Sequence, residues 1–238
     1  MKTAGLPKFT VWPPPGSSVS LGTWLREVAV LSKVTVAPPP FPRGAARGKG
    51  QPVMVFPGFC SLDASTARLR QFLTRQNFMT YPWDCGPNIG PTQTLLLGVE
   101  RQLETMALRH GTKVALVGMS LGGTIAREIA KRRPNCVSRV VTLVSPIRLP
   151  VATPLAPLAR LMALVWDAKA KSALARVGEP PPVPLTAIVN PKDGVVDWRA
   201  CVPDVAPQVE IVMVEGAHMT MGSNPEAQRV VAARLAAS

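Results

Sequence analysis

The run Gly118-Met119-Ser120-Leu121-Gly122 follows the apolar stretch Lys113 to Val117 and precedes the helix-forming stretch Thr124 to Arg132. A serine hydroxyl becomes a nucleophile when a tight strand-to-helix turn lifts it clear of the backbone. Such a turn strains φ and ψ, so residues without a Cβ flank it. A helix starting just after Ser120 also directs its first N–H groups and positive dipole end at the reacting centre. The hydroxyl further needs a base, and imidazole has the pKa for that task near neutral pH.

The chain holds two histidines. His110 ends the helical stretch before the Ser120 strand, where a dipole or capping role explains it. His218, in Glu215-Gly216-Ala217-His218-Met219, follows the last strand-like run, on the edge of an open α/β sheet where ligands gather; it is the candidate base. Asp193, in Asn190-Pro191-Lys192-Asp193-Gly194-Val195-Val196-Asp197, is the candidate acid that holds the imidazole's tautomer. Asp197 is its rival, and an N-cap for the segment starting at Trp198 is the plainer use for that residue. A tetrahedral oxyanion needs two aimed donors. The N–H groups of Leu121 and of Phe59, in Phe56-Pro57-Gly58-Phe59-Cys60, are the candidates, although Pro57-Gly58 also reads as an ordinary turn closing a strand.

Positioning these groups takes strands that end side by side. Val53 to Phe56, Phe78 to Tyr81, Val114 to Val117, Val140 to Val144, Leu185 to Val189 and Val209 to Val214 read as strands. Ala64 to Gln76, Thr92 to Arg109 and Leu121 to Arg132 read as crossover helices, with Glu226 to Leu235 the last. In the second, Leu95, Val99, Leu103 and Met106 recur at helical spacing while Glu100, Arg101 and Glu104 face away. The alternation predicts an α/β fold with a mostly parallel central sheet and helices on both faces. Residues 1–49 form a proline-rich extension around one helix, Leu21 to Leu31, and residues 50–238 the domain. An insertion at about 150–184 reads either as a small helical cap over the site or as an excursion packed on the sheet. Trp83, Met119, Leu161 and Trp166 are candidates for an apolar acyl pocket, all residue types that serve as well in a core.

Composition narrows the function classes. With 238 residues, 47% of them hydrophobic, the chain can bury one substantial core. No window has the roughly 18–20 uncharged apolar residues of a membrane span. Met1 to Pro15 lacks the apolar core of a secretory leader, so a cytoplasmic location is the expectation. Cys60, Cys85, Cys136 and Cys201 show no C-x-x-C spacing, which argues for reduced thiols over a zinc site. No glycine loop that would cradle phosphate is visible, and no metal or cofactor is expected. The net charge of +13 is spread singly and in pairs, and aromatics are only 5%, which argues against nucleic acid as a partner. An arginine-rich solvated surface accounts for it, and weak attraction to anionic lipid surfaces is the other reading.

The chain resembles α/β-hydrolase-fold serine hydrolases of the bacterial esterase and triacylglycerol-lipase-like group. Pro57-Gly58-Phe59, Gly118-Met119-Ser120-Leu121-Gly122-Gly123, Lys192-Asp193-Gly194-Val195-Val196-Asp197-Trp198, and Gly216-Ala217-His218 with Asn224-Pro225 carry the resemblance, over about residues 52–235. It departs from that pattern with Pro57-Gly58 where His-Gly is usual and with Met119 before the serine. The order Ser120, Asp193, His218 is the one this fold uses. The resemblance implies hydrolysis of a small-molecule or lipid ester through an acyl-enzyme. The same triad would serve a thioesterase, an acyltransferase or an interfacial lipase, and a basic, non-catalytic binding protein on the same fold is the alternative from another class.

Overall fold

Six short runs dominated by Val, Leu, Ile and Met form β1 (Pro52–Phe56), β2 (Met79–Pro82), β3 (Val114–Met119), β4 (Val137–Leu143), β5 (Leu185–Val189) and β6 (Val209–Met213). They make one sheet in the order β2-β1-β3-β4-β5-β6, with every neighbouring pair parallel. The computed structural model describes residues 19–148, 153–155, 157, 161, 164 and 176–237. β1 and β5 are buried along their whole length, as expected for strands covered on both faces. The edge strands β2 and β6 are less buried, and β2 ends in Pro82, a residue that an edge tolerates.

The two-residue period of a strand divides the core in two. On one face Val53, Val55, Val117, Val141 and Ile188 pack with Leu69, Phe72 and Leu73 of α2 (Ala67–Arg75) and with Val231 and Leu235 of α5 (Pro225–Ala236). On the other, Met54, Phe56, Leu116, Val140 and Leu185 meet Leu96, Val99 and Leu103 of α3 (Gln93–His110) and Ile125 and Ile129 of α4 (Leu121–Arg132). Each fully buried side chain of this kind contributes about 1.5–3 kcal/mol. The helix ends follow their sequence signals. The Thr92 side chain accepts the Leu95 N–H, Gly111 closes α3 at φ 61°, and Asn224 caps α5 ahead of Pro225.

Three expectations need correction. The stretch from Ala64 divides into a 3-10 turn, Asp63–Thr66, and α2, because Asp63 is held by the N–H groups of Trp83 and Asp84 instead of starting a helix. The N-terminal helix α1 runs Leu21–Val36, beyond the expected Leu31, and packs on the turn His218–Ser223. Glu100 does not face solvent: it is buried and paired with Arg132 at 3.2 Å and Arg133 at 2.7 Å. These guanidinium groups lie at the end of α4, beside α3, and draw the carboxylate inward. Most of the expected cap lies outside the described residues. No helix among the described residues is long and apolar enough to cross a membrane.

Arg127 of α4 is fully buried and donates to the carbonyls of Val177, Gly178 and Glu179 at 3.0, 3.1 and 3.1 Å. Burial lowers its pKa to about 10, which leaves it charged at neutral pH. It thereby ties α4 to the segment that returns the chain to β5. Arg127→Leu strands these acceptors and is expected to cost about 3 kcal/mol, roughly 6–12 °C in Tm by scanning calorimetry. An unchanged Tm would mean the three carbonyls find other partners.

Candidate active site

The strand order places β2 outside β1, so successive connections run in opposite directions from β1, and a crevice opens at the C-terminal ends of β1 and β3. Backbone strain gathers on this edge. Of the five non-glycine residues with positive φ among the described residues, Cys60, Asp84, Ser120 and Val144 follow or end β1, β2, β3 and β4. Ser120 sits between β3 and α4 at φ 51° and ψ −127°. Its N–H donates to Leu143 O at 2.8 Å and its carbonyl accepts the Gly123 N–H at 2.9 Å. The turn closes because three neighbours lack a Cβ. At Gly118 a Cβ would strike the Gly123 backbone, at Gly122 the carbonyls of Phe56 and Pro57, and at Gly123 the Ser145 side chain. A Cβ at Gly58 would lie 3.5 Å from that of Ser120, so the loop after β1 runs directly alongside the serine.

The three residues singled out for acid, base and nucleophile meet here. His218 Nε2 lies 3.0 Å from Ser120 Oγ, and His218 Nδ1 lies 2.7 Å from Asp193 Oδ2. The carboxylate partner assigns the tautomer: Nδ1–H donates to Asp193, which leaves Nε2 to accept the Ser120 hydroxyl. The His218 and Asp193 side chains are only 5% and 1% exposed. A carboxylate this buried needs donors, and its Oδ1 accepts the N–H groups of Val195 at 2.8 Å and Val196 at 2.9 Å. Asp197 is engaged elsewhere. It caps the 3-10 turn Trp198–Cys201 through the Arg199 N–H and pairs with the Arg199 guanidinium at 3.3 Å. The other histidine, His110, meets Tyr81 Oη at 2.8 Å.

Asn190 went unnoticed in the sequence. Its Nδ2 donates to Gly216 O at 3.0 Å and its Oδ1 accepts the Lys192 N–H at 3.0 Å, so it joins the loop after β5 to the loop after β6. Leu121 is the first residue of α4, directly after Ser120, and Phe59 follows Gly58 in the loop that runs alongside the serine. The nearby Cys201 thiol is buried; burial, then the charges of Asp193 and Asp197, push its pKa well above the usual thiol range. Among the described residues no group of three or more His, Cys, Asp or Glu side chains could hold a metal ion.

Ser120 and His218 open on a cavity of about 250 Å³ walled by Leu31, Phe59, Met119, Leu155, Val195 and Met219. Met119, a candidate for the acyl pocket, is among these walls. Trp83 is not: it is fully buried against Phe56, ring centroids 6.4 Å apart, with its indole N–H donating to Gly86 O at 2.9 Å. An aromatic ring at the end of β2 is taken up by the core between the sheet and α3. Leu161 is 56% exposed and does not line the cavity, and Trp166 lies outside the described residues. Val195 and Met219 follow closely on Asp193 and His218, and that adjacency is a signal the sequence did carry. Leu31 and Leu155 come from distant segments and had none.

No family model and no curated protein sequence matches the chain. Solved structures do. A monoacylglycerol lipase from Paleococcus ferrophilus superposes with a TM-score of 0.58 at 16% identity, covering 80% of this chain and 96% of that one. Aspergillus fumigatus lipase B gives a TM-score of 0.60 at 17% identity, over 82% of this chain and 55% of that one. The thioesterase domain from the curacin biosynthetic pathway gives 0.56 at 13% identity, over 81% and 93%. With the six-stranded parallel sheet and its flanking helices, these likenesses establish that the chain has the α/β-hydrolase fold.

Proposed function

We propose that the protein is a carboxylic ester hydrolase that works through an acyl-enzyme on Ser120. The observation that carries this reading is the continuous chain of contacts from Asp193 through His218 to Ser120, at 2.7 and 3.0 Å, on a strained turn beside an apolar cavity. His218 Nε2 takes the hydroxyl proton as Ser120 Oγ attacks the ester carbonyl, and Asp193 stabilises the imidazolium that forms. The carbonyl oxygen becomes an oxyanion, which the N–H groups of Phe59 and Leu121 hold, each donor worth roughly 3 kcal/mol of barrier. His218 then protonates the departing alcohol. In the second half His218 deprotonates a water, which attacks the acyl carbonyl and releases the acid and free Ser120.

The apolar walls support an acyl group as the buried part of the substrate. At about 250 Å³ the cavity is smaller than the ~300–1,000 Å³ of sites that hold drug-sized ligands, which favours short acyl chains over those of long-chain lipids. Neighbours of this fold include lipases and a thioesterase domain, so small-molecule or lipid oxygen esters and thioesters are the substrate classes to compare.

The test is turnover of p-nitrophenyl esters from acetate to palmitate, alongside a matched thioester and a fluorophosphonate label. Wild type is expected to prefer acetate or butyrate and to take the label. Ser120→Ala should lose the label and about 10⁵–10⁶-fold in kcat. Asp193→Asn should lose about 10⁴-fold through the wrong tautomer, whereas Asp197→Asn should stay within about tenfold. A wild type that neither turns over nor labels sinks the enzyme reading and leaves the binding protein. Leu31→Trp fills the cavity and should lower the turnover of butyrate and longer esters relative to acetate; an unchanged ratio would remove Leu31 from the acyl pocket.

A further inference from the structure

α1 carries a carboxylate in a place where helix packing alone does not call for one. Glu27 is only 3% exposed, although much of α1 faces solvent, with Leu25 and Val36 55% and 86% exposed. Removing a carboxylate from water is costly unless donors replace the water. The hydrogen bonds that Glu27 makes go to two backbone donors: Oε1 accepts the Gly194 N–H at 3.1 Å and Oε2 the Met219 N–H at 3.3 Å. Gly194 directly follows Asp193, and Met219 directly follows His218. Both oxygens of one side chain therefore grip the two loops whose side chains meet at 2.7 Å. Gly194 permits this approach, since a Cβ there would lie 2.7 Å from both Glu27 Cγ and the Thr23 carbonyl.

We propose that Glu27 is a positioning residue: a single carboxylate on α1 that sets the separation of the Asp193 and His218 loops, and so the alignment of the base with Ser120. This rests on the ester-hydrolase reading and deepens it. Glu27 touches no substrate and acts through the two loops. A planar carboxylate has a fixed distance between its oxygens, so accepting from both loops at once holds them in register. An apolar residue there would fill space without defining that distance. The alignment matters steeply, because a misplacement of about 1 Å at the reacting atoms can cost 10²-fold in rate. Glu27→Gln is the sharpest change: it keeps shape and length, but its amide NH₂ must face one of the two N–H donors.

The experiment compares wild type, Glu27→Gln and Gly194→Ala on p-nitrophenyl acetate. Leu103→Ala in α3 is the control for lost stability alone. The expected result is a 10- to 100-fold fall in kcat for Glu27→Gln with KM within about twofold. The fluorophosphonate labelling rate should fall in parallel, and the downfield proton resonance of the His218 Nδ1–H should shift or broaden. Gly194→Ala, which pushes α1 off the loop from the other side, should show the same split, and this keeps the test decisive if Glu27→Gln folds poorly. Leu103→Ala should lower Tm and leave kcat near wild type. A labelled, active wild type whose Glu27→Gln and Gly194→Ala variants keep kcat, or lose no more than Leu103→Ala, overturns the positioning role and leaves the hydrolase reading intact. A wild type that neither labels nor turns over overturns the hydrolase reading, and the positioning role with it.

Discussion

Three backbones come almost into contact where β1, β3 and α4 converge, and everything at the crevice is arranged around that crossing. Gly118, Gly122 and Gly123 are the places where a single added carbon would strike main chain or the Ser145 side chain, so the approach is set by the absence of side chains. The crossing forces Ser120 to a positive φ and holds it there through bonds to Leu143 and Gly123. Strain of this kind costs of order 1–3 kcal/mol and survives only where the surroundings over-determine it. Two filled cores, one on each face of the sheet, supply that determination.

With the serine fixed, the other groups are a matter of strand register. β5 and β6 are hydrogen-bonded from Leu185↔Val209 to Val189↔Met213, and the loops that leave them carry Asp193 and His218. Asn190 laces these loops together from the sheet side, and Glu27 from the outside. The carboxylate of Asp193 is satisfied by its own following N–H groups before the imidazole adds a third bond. The buried charge is thus stabilised locally, and the imidazole meets an acceptor already oriented for it.

Much of this was legible because the features that position the site are local. Strand periodicity, the helix-end signals at Gly111 and Pro225, the glycine-flanked serine and the scarcity of histidine each speak through a few adjacent residues, and the observed elements lie within a few residues of the expected ones. What stayed hidden depends on contacts between remote segments. Trp83 reads the same whether it lines a cavity or a core, and only the position of Phe56 decides. Glu100 lies on the polar side of a helical wheel, yet two arginines some thirty positions later bring it inside. The proline-rich context of α1 suggested an appendage, while its face toward the site contributes Leu31 to the cavity and, one helical turn earlier, Glu27 to the loops.

The bonds from Glu27 span 167 and 192 positions of the chain, among the longest separations in the molecule. Loop closures of that length form late, after the local and nearest-neighbour pairings that build the sheet. During synthesis α1 leaves the ribosome well before the Asp193 and His218 loops, so the helix cannot dock on both until all six strands have been made. The sheet and its strained serine can therefore be in place while the crevice is still unassembled. In the order of folding, completion of the site follows completion of the sheet.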